Sequence, residues 1–298
     1  MNKSGSSDPL IRAGWLRALL YVIAFALLAI FALILYVIWL HGHGGDMNSV
    51  QGLLTGQGSA SVTLFLFVLS LLVTYIFRRW IDRKPLLSLG LDVNNQAWNA
   101  LAGATLAVFI VGAGSLILKV TGNLKWTDIL FDPKALFLAF GSILLVAFYE
   151  ELIFRGYILS NLMDSFSKWP ALGISALLFM IFHWNGTSSV GFFPLLNTLI
   201  IGLILGLNYI YTRNLWFSVC FHAAWKFFER PLLGFPGEGA TQTLLQADLR
   251  GDENITGGAS GLEGSYIFLV ISLLSLFALY FILQKKIRLQ SQPVPGQI

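Results

Sequence analysis

The chain has 298 residues, of which 56% are hydrophobic and 11% are charged, and its mean hydropathy is +0.73. A soluble domain of this length does not need so much apolar surface, so the composition excludes an ordinary globular protein and indicates a polytopic membrane protein. The formal net charge is +4. A single cysteine, Cys220, excludes an intrachain disulfide.

Eight apolar segments predict membrane-spanning helices. The fifth and the seventh are short or carry polar residues. We therefore predict an all-α fold, a polytopic transmembrane helix bundle of about eight spans. The segments lie at about 15–40, 61–79, 97–119, 135–163, 170–186, 193–212, 215–230 and 264–284.

The basic residues are distributed unevenly between the connections. When the connections are counted alternately, twice as many Lys and Arg residues fall on the side of the two termini as on the opposite side. The positive-inside rule then places both termini in the cytoplasm.

Composition also divides the chain into two parts. Residues 1–95 are predicted to form a cytoplasmic start, a helix pair and a basic linker, and residues 96–298 to form the membrane domain. Between about 135 and 230 the spans are closely spaced and carry polar residues at depth, so we expect the functional core there. A loop rich in Gly and acidic residues follows at about 231–263.

Three charged residues, Glu150, Glu151 and Arg155, lie in an otherwise apolar stretch. A charge at mid-bilayer costs about 2.5–3.5 kcal/mol on insertion scales, so such residues usually line a bundle interior and mark an active site or a pathway. An ion pair that only joins two helices would explain one carboxylate and not the other. Glu151 and Arg155 are four residues apart and share a helix face, which leaves Glu150 to point at a cavity.

Two histidines, His183 and His222, lie within predicted spans. A carboxylate and an imidazole can activate a water molecule, and a second imidazole can stabilise the oxyanion formed by attack on a carbonyl. Alternatively, Glu150, His183 and His222 could be three ligands of a catalytic metal with an open fourth position. Their spacing does not decide between these, and the HExxH motif of soluble metalloproteases is absent from the sequence.

Three motifs in this order resemble those of a known family. They are Glu-Glu-x-x-x-Arg from Glu150 to Arg155, Phe-x-x-x-His from Phe179 to His183, and a late His222 on its own span. They are similar to the motifs of the CPBP (CAAX protease and bacteriocin-processing, or Abi) intramembrane endopeptidases, which are related to the Ras-converting enzyme. The motifs cover about 135–230, and the resemblance implies a CPBP-like membrane domain at 96–298 in a bacterial plasma membrane.

The resemblance also implies roles for the site residues. Glu150 and His183 would activate the attacking water, Glu151 and Arg155 would hold the site together, and His222 would stabilise the oxyanion or bind a metal. The family has been described both as metalloproteases and as glutamate-dependent, metal-free enzymes. The cofactor therefore stays open between a divalent metal such as zinc and none.

One position departs from the family pattern. The late motif of the family is His-x-x-x-Asn, sometimes with Asp, whereas this chain has Lys226 four residues after His222. A lysine on this face could replace the amide as an oxyanion donor, pair with Glu150, or extend outward to Glu229. Its charge would repel a metal ion. Lys226 therefore puts catalytic activity in question more than the fold.

Three functions are compatible with these residues. The first is an intramembrane endopeptidase, a hydrolase acting near the cytoplasmic leaflet, whose partners would be the lipid bilayer and a membrane-tethered peptide or protein, with no nucleic acid. The second is a catalytically weakened relative that acts as a peptide-binding, immunity or scaffold protein. The third is a proton-coupled transporter, which suits the buried charges but not the motif order.

Overall fold

A computed structural model describes residues 8–42, 60–94, 96–184, 191–237 and 242–290. Each of the eight predicted segments contains a helix, which confirms the all-α polytopic bundle. The helices are α1 (Gly14–Gly42), α2 (Ala60–Ile76), α3 (Ala97–Val120), α4 (Pro133–Leu162), α5 (Lys168–Phe182), α6 (Phe192–Thr212), α7 (Trp216–Phe227) and α8 (Tyr266–Gln290).

The helices differ in length, and the difference positions the site. Within the described ranges, six are long and apolar enough to cross a membrane: α1, α2 with its continuation, α3, α4, α6 and α8. Helix α5 has 15 residues, or about 22 Å at 1.5 Å per residue, which is less than the hydrocarbon thickness of about 30 Å. The segment predicted as a span at 170–186 therefore ends as a helix at Phe182, and the partly exposed His183 follows it directly.

Close contacts between small residues fix how deeply α5 sits. A Cβ added to Gly202 of α6 would lie 3.2 Å from the Cα of Ala176, and one added to Gly206 would lie 2.5 Å from a methyl group of Leu172. Small residues at helix interfaces let two backbones approach closely in a membrane. The packing of α5 against α6 thus sets the position of the residue that follows α5.

Three helices contain π-helical turns that the sequence does not predict. Helix α4 is regular up to Glu151, then forms a π-helix at Leu152–Leu159 and returns to an α-helix at Ser160–Leu162. Helix α7 continues as a π turn at Phe228–Leu232, and α2 continues as one at Phe77–Ile81. Such insertions are frequent at functional sites, and the one in α4 begins directly after the two glutamates.

A small antiparallel sheet departs from the predicted all-α fold. Strand β1 (Leu124–Ile129) pairs with strand β2 (Leu245–Leu249), so the segment predicted as a loop at about 231–263 contains a strand. Short helical turns at Glu253–Thr256, Gly258–Ser260 and Leu262–Gly264 complete this segment. The indole nitrogen of Trp126 donates a hydrogen bond of 2.9 Å to the carbonyl of Leu233, which attaches the sheet to the end of α7.

Two basic residues that entered the topology prediction are buried instead of lying in open connections. Arg17 and Arg78 both bind Asp82, at 3.1 and 2.8 Å, and all three side chains are at most 3% exposed. Tyr157 and Asn161 of α4 also donate hydrogen bonds to this carboxylate. The network joins α1, the end of α2 and the end of α4, while the domain boundary at residue 95 stays a prediction.

Candidate active site

Glu150, His183 and His222 meet inside the bundle, as expected for one site. The Glu150 Oε2 atom lies 3.3 Å from Nε2 of His183 and 3.9 Å from Nε2 of His222. The carboxylate comes from α4, one imidazole follows α5 and the other comes from α7. Glu150 and His222 are buried, and His183 is partly exposed.

The other ring nitrogen of each histidine is held by an acceptor. The Nδ1 atom of His183 lies 2.9 Å from the carbonyl oxygen of Phe179, and Nδ1 of His222 lies 3.1 Å from Oε1 of Glu151. Because a main-chain carbonyl and an ionised carboxylate only accept hydrogen bonds, we assign the proton of each neutral imidazole to Nδ1. Both Nε2 atoms are then left as acceptors that face Glu150.

This arrangement places three acceptor atoms against one another. Oε2 of Glu150 is buried and has no hydrogen-bond partner among the described residues. Buried acceptors need a donor, so a shared proton or a water molecule is required to connect Glu150 to the imidazoles. A site of this kind can bind a water molecule and take a proton from it.

Glu151 and Arg155 form the ion pair that their spacing predicts. Arg155 Nη1 donates a hydrogen bond of 2.7 Å to Oε1 of Glu151, and both side chains are fully buried. Arg155 Nη2 also donates to the carbonyl of Gly202, and its guanidinium lies 4.2 Å from the ring centroid of Phe179. Since Glu151 also accepts from His222, the pair connects α4, α5, α6 and α7.

Lys226 has a partner that was not considered from the sequence. Its Nζ donates a hydrogen bond of 2.7 Å to Oε2 of Glu263, and it lies 4.0 Å from the ring centroid of Trp225. Neither Glu150 nor Glu229 makes this contact. Glu263 reaches Lys226 because the turn Leu262–Gly264 brings it beside the end of α7, a fold that no local pattern predicts.

Arg230 is a further residue of this region that the sequence reasoning missed. Its Nη2 donates a hydrogen bond of 2.6 Å to Oε1 of Glu263. Burial alone would raise the pKa of Glu263, but the charges of Lys226 and Arg230 lower it well below its usual value. An acidic residue in the Gly-rich segment just before the last span was the available signal.

The cofactor, a divalent metal such as zinc or none, stays a prediction. Among the described residues, no group of three or more His, Cys, Asp or Glu side chains is placed to hold a metal ion. Lys226 lies one helical turn after His222, so its ammonium would repel a cation bound at the imidazole. We therefore derive no step of the reaction through a metal.

Comparison with known families agrees with this geometry. Residues 132–228 match the family model described as type II CAAX prenyl endopeptidase Rce1-like. The match covers about a third of the chain, and over this segment the chain is similar to the Rce1-like family. The match begins at Asp132, the N-cap of α4, and it includes every residue named in the three motifs as well as Lys226.

The Rce1-like match confirms the relation to the CAAX proteases that the motifs indicated. At the level of the family the match supports a CAAX-protease-like intramembrane endopeptidase, and the apolar helices support an integral multi-pass membrane protein. Arg230 and Glu263 lie outside the matched segment. Neither the curated proteins nor the solved structures contain a match to this chain.

Proposed function

We propose that this protein hydrolyses a peptide bond of a membrane-tethered peptide or protein, using a water molecule bound between Glu150 and His183. The observation that carries the proposal is the buried Glu150 carboxylate, whose Oε2 faces the Nε2 atoms of both histidines at 3.3 and 3.9 Å. Two oriented imidazoles around one carboxylate without a hydrogen bond suit proton transfer better than a structural ion pair.

The first half of the reaction is the attack. The water donates one hydrogen to Glu150 Oε2 and the other to Nε2 of His183, which orients its oxygen. Glu150 takes the first proton as the oxygen attacks the carbonyl carbon of the scissile bond. The carbonyl π electrons move to the oxygen, which gives a tetrahedral intermediate with a negative charge.

His222 and Lys226 stabilise that charge in this proposal. For this role His222 takes a second proton from solvent before the attack and returns it after the collapse. It then donates from Nδ1 to Glu151 and from Nε2 to the oxyanion, and the ion pair of Glu151 with Arg155 holds the imidazole in place. Lys226 supplies a second donor one helical turn later, where the family has an amide. Fixed donors in a buried site typically contribute about 10²–10³ in rate each.

The second half is the collapse of the intermediate. Glu150 returns its proton to the nitrogen of the leaving group, the C–N bond breaks, and the oxyanion becomes the carbonyl of the new carboxylic acid. Glu150 ends ionised and ready for another water molecule. The substrate gains one water across the peptide bond, and no other reactant is needed.

The experiment is cleavage by the purified protein in proteoliposomes. The substrates are a library of peptides tethered to the bilayer, one half through a prenylated C-terminal CAAX sequence and the other through an acyl chain. We expect the wild type to cleave members of the library and Glu150→Gln to lose about 10²–10⁴-fold of that activity. Asp248→Asn, the same acid-to-amide change in an exposed strand residue, is the matched control and keeps full activity.

A second set of outcomes would favour the weakened relative. The Lys226–Glu263 contact, at the position where the family has an asparagine, is the observation that supports it. In that case the wild type binds tethered peptides without cleaving them, and Lys226→Asn gains cleavage. Activity in the wild type that survives in Glu150→Gln would contradict the proposed mechanism itself.

The metal-free route has its own test. Cleavage is measured before and after dialysis of the proteoliposomes against a strong divalent-metal chelator, with added zinc in a third arm. We expect the same rate in all three arms. Loss of activity that zinc restores would show that Glu150 and the histidines act as metal ligands.

A further inference from the structure

One carboxylate at the edge of the proposed site holds two cations. Oε2 of Glu263 accepts from Lys226 at 2.7 Å, and Oε1 accepts from Arg230 at 2.6 Å. The three side chains are 15–19% exposed, so the contacts form in a largely desolvated place. Each oxygen therefore has its own cation, and neither cation has to move to satisfy the other.

The main chain of Glu263 is fixed as firmly as its side chain. Its N–H donates a hydrogen bond of 3.0 Å to Oε1 of Glu229, and its carbonyl accepts one of 2.6 Å from the buried amide of Asn197. Gly261, two residues earlier, has a φ of 73°, and a Cβ there would lie 2.4 Å from the carbonyl oxygen of Pro236. The turn therefore holds the main chain of Glu263, and with it the carboxylate, in one place.

The position of Lys226 decides what its charge does. It follows His222 by one helical turn, and Nε2 of His222 lies 3.9 Å from Oε2 of Glu150. A lysine released from its partner has a flexible stem and a compact charge, so it would be attracted to Glu150, the proposed base. An ammonium bound to that carboxylate would make it a poorer base.

We propose that Glu263 is a positioning residue for the reaction: it holds Lys226 beside the oxyanion and away from Glu150. The inference rests on the proposed function. It also accounts for the departure from the family motif, because Glu263 fixes the position of the lysine that stands where the family has an asparagine. Glu263 lies outside the matched segment, so the family motifs alone do not identify it.

Four proteins test this in proteoliposomes with a peptide that the wild type cleaves: the wild type, Glu263→Gln, Lys226→Asn and the double variant. We expect Glu263→Gln to lower kcat about 10- to 100-fold, because a misplaced group near the reacting atoms has an effect of that size, while KM stays within about twofold. Lys226→Asn exchanges the lysine donor for the amide that the family has at this position, so it should be faster than Glu263→Gln. The double variant should recover to within about threefold of Lys226→Asn, since no lysine is left to bind Glu150.

The effect on Arg230 is the same in both variants that lack Glu263, so a recovery in the double variant must come from the absence of the lysine. Arg230 loses its Glu263 partner equally in Glu263→Gln and in the double variant, so damage that acts through Arg230 or through the turn would remain in both. A double variant as slow as Glu263→Gln would overturn the proposal, and so would an unchanged kcat in Glu263→Gln or an effect confined to KM. Glu253→Gln, an exposed glutamate of the same loop, is the matched control and keeps wild-type kinetics.

Failure of the proposed function would be recognised separately. It would show as a wild type that cleaves no tethered peptide at all. The same four proteins then report on the contact itself through their unfolding temperatures in detergent. Non-additive changes in Lys226→Asn and Glu263→Gln would show that the two residues are coupled in the folded protein, whereas additive changes would overturn the pairing on which the inference depends.

Discussion

Asp82 and Glu150 are both carboxylates buried in the bundle, and their surroundings are opposite. Asp82 is saturated: Oδ1 accepts from Arg17 and Tyr157, and Oδ2 accepts from Arg78 and Asn161. Two of these donors are arginines, which stay charged at any physiological pH. Such a carboxylate has no free lone pair for chemistry.

Glu150 faces imidazoles in place of guanidinium groups. A neutral imidazole has a single N–H, and neither His183 nor His222 makes a hydrogen bond of good geometry to Oε2 of Glu150. The comparison shows that burial and charge alone do not indicate a reactive site. What separates the two carboxylates is whether their partners are permanent donors.

The largest expected effect is on the free energy of unfolding, which should fall in a variant of Asp82 but not in a variant of Glu150. Asp82→Asn leaves Arg78 buried without a counter-charge and removes one of the two carboxylates that bind Arg17, and removing one partner of a buried ion pair typically costs about 3–5 kcal/mol. Glu150→Gln should leave the free energy of unfolding nearly unchanged, although it abolishes cleavage. Thermal unfolding of both variants in the same detergent measures this. A Glu150→Gln protein that unfolds as readily as Asp82→Asn would place the two carboxylates in the same structural class.

A smaller effect is expected at the Glu151–Arg155 pair, because Glu151 binds both an arginine, as Asp82 does, and a histidine of the site. Arg155→Lys keeps the charge but loses the fork that reaches Glu151 and the carbonyl of Gly202, as well as the contact with Phe179. We expect a destabilisation of about 1–3 kcal/mol, the cost of leaving buried polar groups unsatisfied, together with slower cleavage. The unfolding temperature measures the destabilisation, and kcat measures the slower cleavage. Loss of stability without loss of kcat would show that Arg155 does not orient the site.

The smallest effect concerns the exposed edge of the Asp82 network. Partial burial would raise the pKa of Asp164, but the hydrogen bonds and charges of Arg17 and Lys84 lower it. A lowered pKa stabilises the fold above the unfolded value of about 3.9, and this stabilisation is lost as the pH falls through the folded value.

Asp164→Asn should therefore reduce stability at pH 7 and make it less sensitive to acid. Because the Asp164 side chain is 37% exposed, we expect under about 1 kcal/mol. Unfolding temperatures of the wild type and the variant from pH 7 to pH 3 provide the measurement. Curves that stay parallel over the whole range would contradict the assignment.

The bundle could be predicted because its signal is local. A membrane span must satisfy its backbone hydrogen bonds within its own helix, so a run of apolar residues already indicates one. The motif residues could likewise be brought together from the order of buried charges and histidines along the spans. The pairing of Glu151 with Arg155 follows from a spacing of four residues.

The contacts that were missed depend on the fold of distant segments. Glu263 meets Lys226 only after a Gly-rich turn has closed, and Asp82 meets Arg17 only after α1 and α2 have packed together. Arg17 and Arg78 were therefore counted as charges of open connections although they are buried. The end of α5 was predicted too late in the chain, because hydropathy alone did not indicate that the helix would stop before His183.

The π-helical turns in α4 bear on how well this helix can tolerate the deletion of a residue. The site residues Glu150 and Glu151 precede them, and Tyr157 and Asn161, which bind Asp82, lie within them or just after them. Each residue advances a helix by about 100° around its axis, so deleting one residue here would turn one group away from its partners. The π-helical segment sets the angle around the helix axis between the site residues and the residues that bind Asp82. We therefore expect α4 to tolerate substitutions there far better than a deletion.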